Sequence, residues 1–328
     1  YAVRGASKDL AKLPGFGEVK LRFEQESMVP YTFMGGTYAL PETTSWSMLF
    51  YRKDIFKELS LGIPRTWDDV YDVIVKLQGK NLSFAMPPDA GAYYMFLYQN
   101  GGRLYNNDGE TTAIDTVEGI AAFNRWTEFF SSYKLEVEYN FVNRFRTGEM
   151  PAGIADFTTA NQLKVFAPEI RGLWGMAPIP ATVREDGSQN RESACTGTAD
   201  MILARTKYPD EAWEFLQWWT SDETQSFYAE QLESLLGASA RYATANKRAF
   251  AEQAWTAQEK QMLTQQRGYV RGIPEVPGSY ITPRYIDFAF KAVVNDGREA
   301  GKELLDYSKT INAELARKRA EFAELLKR

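Results

Sequence analysis

The 328-residue sequence contains no histidine and one cysteine, Cys195. Without an imidazole, Ser-His-Asp and Cys-His catalysis are excluded, as is every metal site built on histidine. A lone thiol forbids an internal disulfide and makes a zinc centre unexpected. It fits either a reducing compartment or an exported protein that dispenses with disulfides. No run reaches the roughly 18 apolar residues of a membrane span. Tyr1-Ala-Val-Arg-Gly-Ala-Ser-Lys has no apolar segment of the kind a secretory leader carries, so for an exported protein that leader is expected outside this sequence. Net charge is -5 with lysine and arginine scattered. No basic stripe marks a nucleic-acid partner. Internal repeats, low-complexity tracts and an obvious linker are also missing.

Aromatic residues are abundant, at 14% of the chain, with 8 Trp, 18 Tyr and 20 Phe. Several sit in polar, loop-like segments. There the indole N–H or phenol O–H needs a partner if the ring is buried. The length suggests about two domains at roughly 150 residues each.

The pattern predicts an α/β or α+β chain. Gly35-Gly36 marks a turn between two aromatic runs. "SMLFYRKDIF" leads into a helix by Asp54. Thr66 is placed to cap a helix whose first turn carries Asp68 and Asp69. Val70, Val73, Ile74 and Leu77 give that helix a buried stripe, and Gly79 ends it. "LSFAMP" reads as a short strand and "AYYMFLYQNGG" as a helix. A helix capped by Asp115 or Thr116 follows. "MPAGIAD" reads as a strand feeding a helix from about Thr158, and "RGLWGMAPIPA" as a strand entering a Pro-rich loop. "ACTGTADMILAR" reads as one strand, "LESLLGASARYAT" as a loop, and 300–327 as a long charged helix. "YNNDGETTAID" (105–115) faintly suggests a calcium loop but lacks its ligand spacing. Neither a metal nor a cofactor is expected.

Four segments in order carry a resemblance. "TYALPETTSWSMLFYRKDIFKELSLGIPRTWDDV" has a strand ending Leu-Pro, a small polar run, an aromatic-x-Lys-Asp stretch, then Pro-x-Thr-Trp-Asp opening a helix. "RFRTGEMPAGIADFTTANQL", "WGMAPIP" with "GTADMILARTKYPDEAWEFLQWWTSDETQ", and "VPGSYITPRYIDFAFKAVVNDG" follow. Together they resemble bacterial extracellular solute-binding proteins, the sugar-binding class of ABC importers, including the maltose-binding type. The resemblance implies a two-lobe, class II periplasmic-binding-protein-like α/β fold. It implies residues 1–38 and 200–238 in an N-terminal lobe and 39–199 and 239–328 in a C-terminal lobe. Crossings are expected near 38–42, 197–200 and 238–242. Relatives of this class begin with a further stretch, so the N-terminal lobe is expected to be partial here.

What the resemblance implies about function is a carbohydrate held between the lobes, with rings stacked on sugar faces and polar side chains on hydroxyls. The partners implied are that carbohydrate and a membrane permease. The chain is expected to be a monomer or part of a longer polypeptide, either a Gram-positive surface lipoprotein or periplasmic. The candidate ligand residues are Glu42, Thr43 and Trp46 after the first crossing, and Tyr93 and Tyr94 after the Pro-Pro-Asp-Ala-Gly loop. Asp156, Phe157, Thr158 and Asn161 follow at a strand's end. Trp174, Arg241, Tyr242, Tyr280 and Tyr285 complete the set, with Trp46 and Phe157 as the expected stacking rings. Trp67, Trp126, Trp213, Trp218 and Trp219 lie on helices at apolar spacing and are expected to pack or to face a transporter. A glycoside hydrolase and a binding module within a larger surface protein remain the alternatives. A peptide, polyol or cofactor-like ligand also stays open.

Overall fold

The computed structural model describes residues 1–326, so Lys327, the expected end of the last helix, lies outside them. Its spine is the strand Ser45–Arg52. That strand pairs antiparallel with Ala152–Asp156 on one side, and with Trp174–Ala177 and Ser193–Thr196 on the other. Phe84–Ala85 runs parallel to Ala152–Asp156, and Val270–Arg271 runs parallel to Ser193–Thr196. The sheet order is therefore non-sequential, and the helices between strands are its crossovers. Gly153 permits one close approach, because a Cβ there would sit 2.3 Å from the Ala85 methyl.

Successive strand residues face opposite sides of a sheet. In Ser45–Arg52 the even residues Trp46, Met48 and Phe50 enter one core with Phe157, Phe250 and Trp255. The odd residues Leu49 and Tyr51 enter a larger core with Tyr93, Phe96, Trp126 and Phe290. The strand is thus covered on both faces from Met48 onward, and half open at its start, where Ser45 and Ser47 are only partly buried.

The helix Trp67–Gln78 forms as its sequence predicts. Thr66 Oγ1 accepts from the Asp69 amide at 3.2 Å, and the Asp69 carboxylate accepts from the Thr66 amide at 2.9 Å. This reciprocal cap satisfies two otherwise unpaired donors. Thr116 caps Val117–Ser131 with a single bond, its Oγ1 accepting from the Gly119 amide at 3.3 Å. The final helix, Ala300–Leu326, packs on Thr282–Asp296.

A third, smaller core gathers Leu10, Val19, Phe23, Leu40, Ile202, Trp213, Leu216 and Ala245. Two short two-stranded sheets belong to it, Leu40–Pro41 with Ala199–Asp200 and Thr32–Phe33 with Gly36–Thr37, the latter against Leu10–Lys12. The chain passes between this core and the main body three times, and the passes are bonded to one another. The Glu42 amide donates to the Thr198 carbonyl at 2.9 Å, the Thr44 amide to Ala243 at 2.8 Å, and the Ala245 amide to Glu42 at 3.0 Å. The third pass therefore pairs at 243–245, after a short turn at Ala238–Ala240.

Two sequence expectations are corrected. "ACTGTADMILAR" is two short strands, not one, because the chain leaves the main sheet at Gly197, where a Cβ would lie 2.0 Å from the Thr43 carbonyl oxygen. "LESLLGASARYAT" is helical as far as Leu236, since Asp222–Leu236, capped by Ser221, continues to Gly237 before stopping.

Candidate functional site

The parallel strands of the main sheet all end at one edge, and the lone antiparallel strand begins there. A cavity of about 540 Å³ opens at that edge. The crevice outside strand carboxyl ends is where ligands bind in open α/β sheets. Each side chain arrives by strand parity or from the loop that leaves a strand. Ser45 and Ser47 face the cavity from the half-open start of the central strand. Ile154 and Asp156 share one face of their own strand. Asp89 lies just beyond Phe84–Ala85, and Glu275 lies just beyond Val270–Arg271. Tyr280 supplies an open ring, 64% exposed, while Tyr94 and Tyr105 are buried in the wall.

The polar groups are held in place. Asp89 Oδ1 caps Ala90–Gln99 by accepting from the Gly91 amide at 2.9 Å. Asp156 Oδ1 accepts from the Thr158 amide at 2.9 Å and from its hydroxyl at 2.6 Å. Ser279 donates to Glu275. The Tyr105 hydroxyl donates to Thr282 Oγ1 at 2.8 Å, and Ser45 and Thr196 hydroxyls meet at 3.3 Å. Burial pushes the Asp287 and Glu275 carboxyls above their ordinary range, and for Asp287 the nearby Asp89 charge adds to the effect.

A second cavity of about 740 Å³ adjoins the first and shares Thr196, Ile273, Glu275, Ser279 and Tyr280 with it. Tyr31, Phe33, Tyr38 and Phe322 give it an aromatic wall. Tyr280, 64% exposed, stands between the two.

Of the sequence-predicted residues, Tyr94, Asp156 and Tyr280 come together on the first cavity. Trp46 adjoins it, but its ring is 2% exposed and packs 4.7 Å from Phe157 and 5.5 Å from Phe250. Stacking on a sugar needs an open ring face, and Trp46 has none. Phe157, 1% exposed, shares that core, so neither expected stacking ring is offered to a ligand. Tyr93 is wholly buried against Phe123 and Trp126, its hydroxyl donating to the Gly119 carbonyl. Trp174 pairs with Arg52 at the far end of the central strand and packs on Phe50.

Asn161 is buried and donates to the Arg241 carbonyl at 3.3 Å. Arg241 pairs with Glu233 and lies 4.4 Å from the Trp255 ring centre. Thr158 serves Asp156. Glu42, Thr43 and Tyr242 belong to the crossings. Glu42 accepts from Thr198 Oγ1 at 3.0 Å, the Thr43 and Thr198 hydroxyls meet at 2.7 Å, and Tyr242 packs edge-on against Tyr228. Tyr285 packs beside Phe288 and Tyr307 rather than on the cavity.

Sequence reasoning missed Ser47, Asp89, Tyr105, Glu275 and Asp287. A signal for Asp89 was present, since it caps a helix directly after a strand, the argument that selected Asp156. Parity along "TTSWSML" places its serines opposite Trp46.

Comparison with solved structures defines the fold. The sugar-binding protein MalE from Xanthomonas citri superposes with a TM-score of 0.78 at 17% identity, over 98% of this chain and 82% of that one. A solute-binding protein from Thermotoga lettingae, bound with alpha-D-tagatose, gives 0.75 at 18%, over 96% and 81%. UgpB from Mycobacterium tuberculosis, in complex with glycerophosphocholine, gives 0.75 at 17%, over 96% and 80%. The fold is that of two-lobe solute-binding proteins. The sequence profile of the bacterial extracellular solute-binding protein family matches residues 8–226, more than half of the chain, and the chain belongs to that family. Binding proteins of Brucella abortus (strain 2308) and Brucella suis biovar 1 (strain 1330) are each 25% identical over 232 residues. That is 64% of this chain and 54% of theirs, so the chain spans about half the length of the curated relatives it matches.

Proposed function

We propose that this chain is the substrate-binding component of an ABC importer and holds a carbohydrate, an oligosaccharide by the extent of the paired cavities, between its two lobes. Residues 1–38 and 200–238 form the N-terminal lobe in this reading, and the remainder forms the C-terminal lobe. The observation that carries it is the cavity at the strands' carboxyl ends in the larger lobe, continued by the second cavity, which residues of both lobes line. There hydroxyls (Ser45, Ser47), carboxylates (Asp89, Asp156) and the open ring of Tyr280 converge, with Tyr94 in the wall. Sugar rings have apolar C–H faces that suit aromatic side chains and hydroxyl edges that suit paired acceptors. The role is binding rather than catalysis, with delivery to a membrane permease. The protein acts outside the cytoplasmic membrane as a monomer, on a lipid anchor or free in the periplasm.

The test is a thermal-shift screen across mono- and oligosaccharides and polyols. A ligand at a hundred times its dissociation constant stabilises the fold by about 2.7 kcal/mol. A screen in which no glycan or polyol raises the melting temperature overturns the reading. So does sustained release of product from a glycan.

A further inference from the structure

The two bodies also meet away from the crossings. Phe23 and Met28 anchor one segment in the smaller core, and Glu24 and Glu26 stand between them in sequence. Across from it the main body presents the end of the helix Ala257–Arg267 and the edge strand Val270–Arg271, anchored by Leu263 and Val270 in the core of Trp46. Glu26 Oε2 accepts from the Gly272 amide at 2.9 Å, and its Oε1 lies 3.3 Å from Arg271 Nη1. Arg271 is gripped from its own body by Glu192, whose Oε1 accepts from Nε at 2.7 Å. Asn190 in turn donates to Glu192 at 3.1 Å. Glu24 pairs with Arg267 at 3.4 Å.

These bonds clasp a backbone contact that has no slack. A Cβ on Gly272 would lie 2.2 Å from the Glu26 carbonyl oxygen and 2.4 Å from Val29 Cβ. On its other side the Tyr98 hydroxyl donates to the Gly272 carbonyl at 3.3 Å and holds it to the main body. Glu24, Glu26, Arg267, Arg271 and Gly272 line neither cavity. Ile273, the next residue, lines both, and Pro30 and Tyr31 line the second, so the clasp sits directly behind the cavity walls. A rotation that moves the two segments against each other can only part them, because their backbones already touch. Tyr280 stands exposed between the cavities, so the arrangement that the clasp holds is one with the cleft open. A contact made in the open state and lost on closure subtracts from ligand affinity, since the ligand must supply the difference between the states.

We propose that Glu26 and Arg271, backed by Glu192 and by the Glu24–Arg267 pair, form a latch that holds the cleft open and sets ligand affinity from outside the cavities. They are positioning residues and touch no ligand. The latch acts whatever the cleft holds, so it stands apart from the carbohydrate reading. Its strength is modest by design of the site: Arg271 is half-exposed, and exposed ion pairs contribute little singly, but the carboxylate also takes a charge-assisted bond from a backbone amide.

Small-angle X-ray scattering of the whole chain without sugar is the first test. Glu26→Ala and Arg271→Gln should each give a smaller radius of gyration than wild type. Sodium chloride at about 1 M, where charges are screened beyond about 3 Å, should move the wild type the same way. That arm needs no substitution and stands even where a variant fails to fold. Asp306→Asn, which breaks an exposed pair with Lys302 on the last helix, is the control and should change nothing. Titration calorimetry follows, with the neutral glycan that gives the largest shift in the screen above. Both variants should bind it about three- to ten-fold more tightly than wild type. Wild-type affinity for it should rise with salt, whereas damage to packing would weaken binding. Scattering from the variants and from the salt-treated wild type that superimposes on untreated wild type overturns the latch. So do variants that bind equally or more weakly. A screen without a binding glycan overturns the carbohydrate reading alone, and the scattering then decides the latch.

Discussion

Replacing Trp46 by alanine distinguishes the two roles that its position suggests. The indole is 2% exposed, seated against Phe157 and Phe250 in the core on the far side of the sheet from Ser45 and Ser47. Truncating a buried tryptophan removes its transfer free energy and leaves a cavity, which together cost about 3–5 kcal/mol. With an unfolding entropy of about 2.1 cal/mol/K per residue, a chain of 328 residues gains about 0.7 kcal/mol/K. If it melts as one unit, Trp46→Ala therefore lowers the melting temperature by about 4–7 °C. The assay is urea and thermal unfolding followed by far-ultraviolet circular dichroism, which avoids the lost indole fluorescence. Ser47→Ala is the control, because it touches the cavity rather than the core and should move stability by less than about 0.5 kcal/mol. If Trp46→Ala left the urea midpoint and melting temperature unchanged while abolishing ligand binding, the packing argument would be refuted and the stacking role restored.

Two further outcomes follow from the same structure. Gly197→Ala forces a Cβ to within 2.0 Å of the Thr43 carbonyl, and overpacking of this kind costs about 1–3 kcal/mol or more. An unchanged urea midpoint would show that the crossing has slack the structure does not display. Asp287→Asn should stabilise the unliganded protein at neutral pH. The folded-state pKa of Asp287 is raised above its ordinary 3.8, so the unfolded chain loses its proton first. This group's contribution is therefore complete below about pH 3.8 and declines as pH rises through the folded value. The difference between variant and wild type should be absent in strong acid and appear above that point. A difference that instead grows toward low pH would contradict the burial argument.

Local structure was legible where period and caps agreed. Val70, Val73, Ile74 and Leu77 with Thr66 and Gly79 delimited a helix that forms almost as read. The helix to Leu236 was not, because Gly237-Ala-Ser-Ala looked like the centre of a loop rather than its beginning. The candidate site was half legible. The strand ends near Ser45 and Asp156 were identified, but not which face of each strand was open. A stretch reading Ser-Trp-Ser-Met shows alternation without showing which set faces solvent. The answer comes from sheet order, which places residues 270–271, 193–196 and 84–85 around strands distant in sequence. Glu275 and Asp287 were invisible for that reason, since only the folded sheet brings them to Asp89 and Asp156.

The triple crossing also sets an order of assembly during synthesis. The smaller core needs Leu10 to Leu40, then Ile202 to Leu216, then Ala245. Its first pieces must wait for a partner made some 160 residues later, on the order of ten seconds or more at 5–20 residues per second. The larger core is delayed further, because it includes Leu315. Neither body is an uninterrupted piece of chain, so neither can be finished before most of the polypeptide exists. Until then Leu10, Val19 and Phe23 lack the Ile202, Trp213 and Leu216 side chains that complete their cluster.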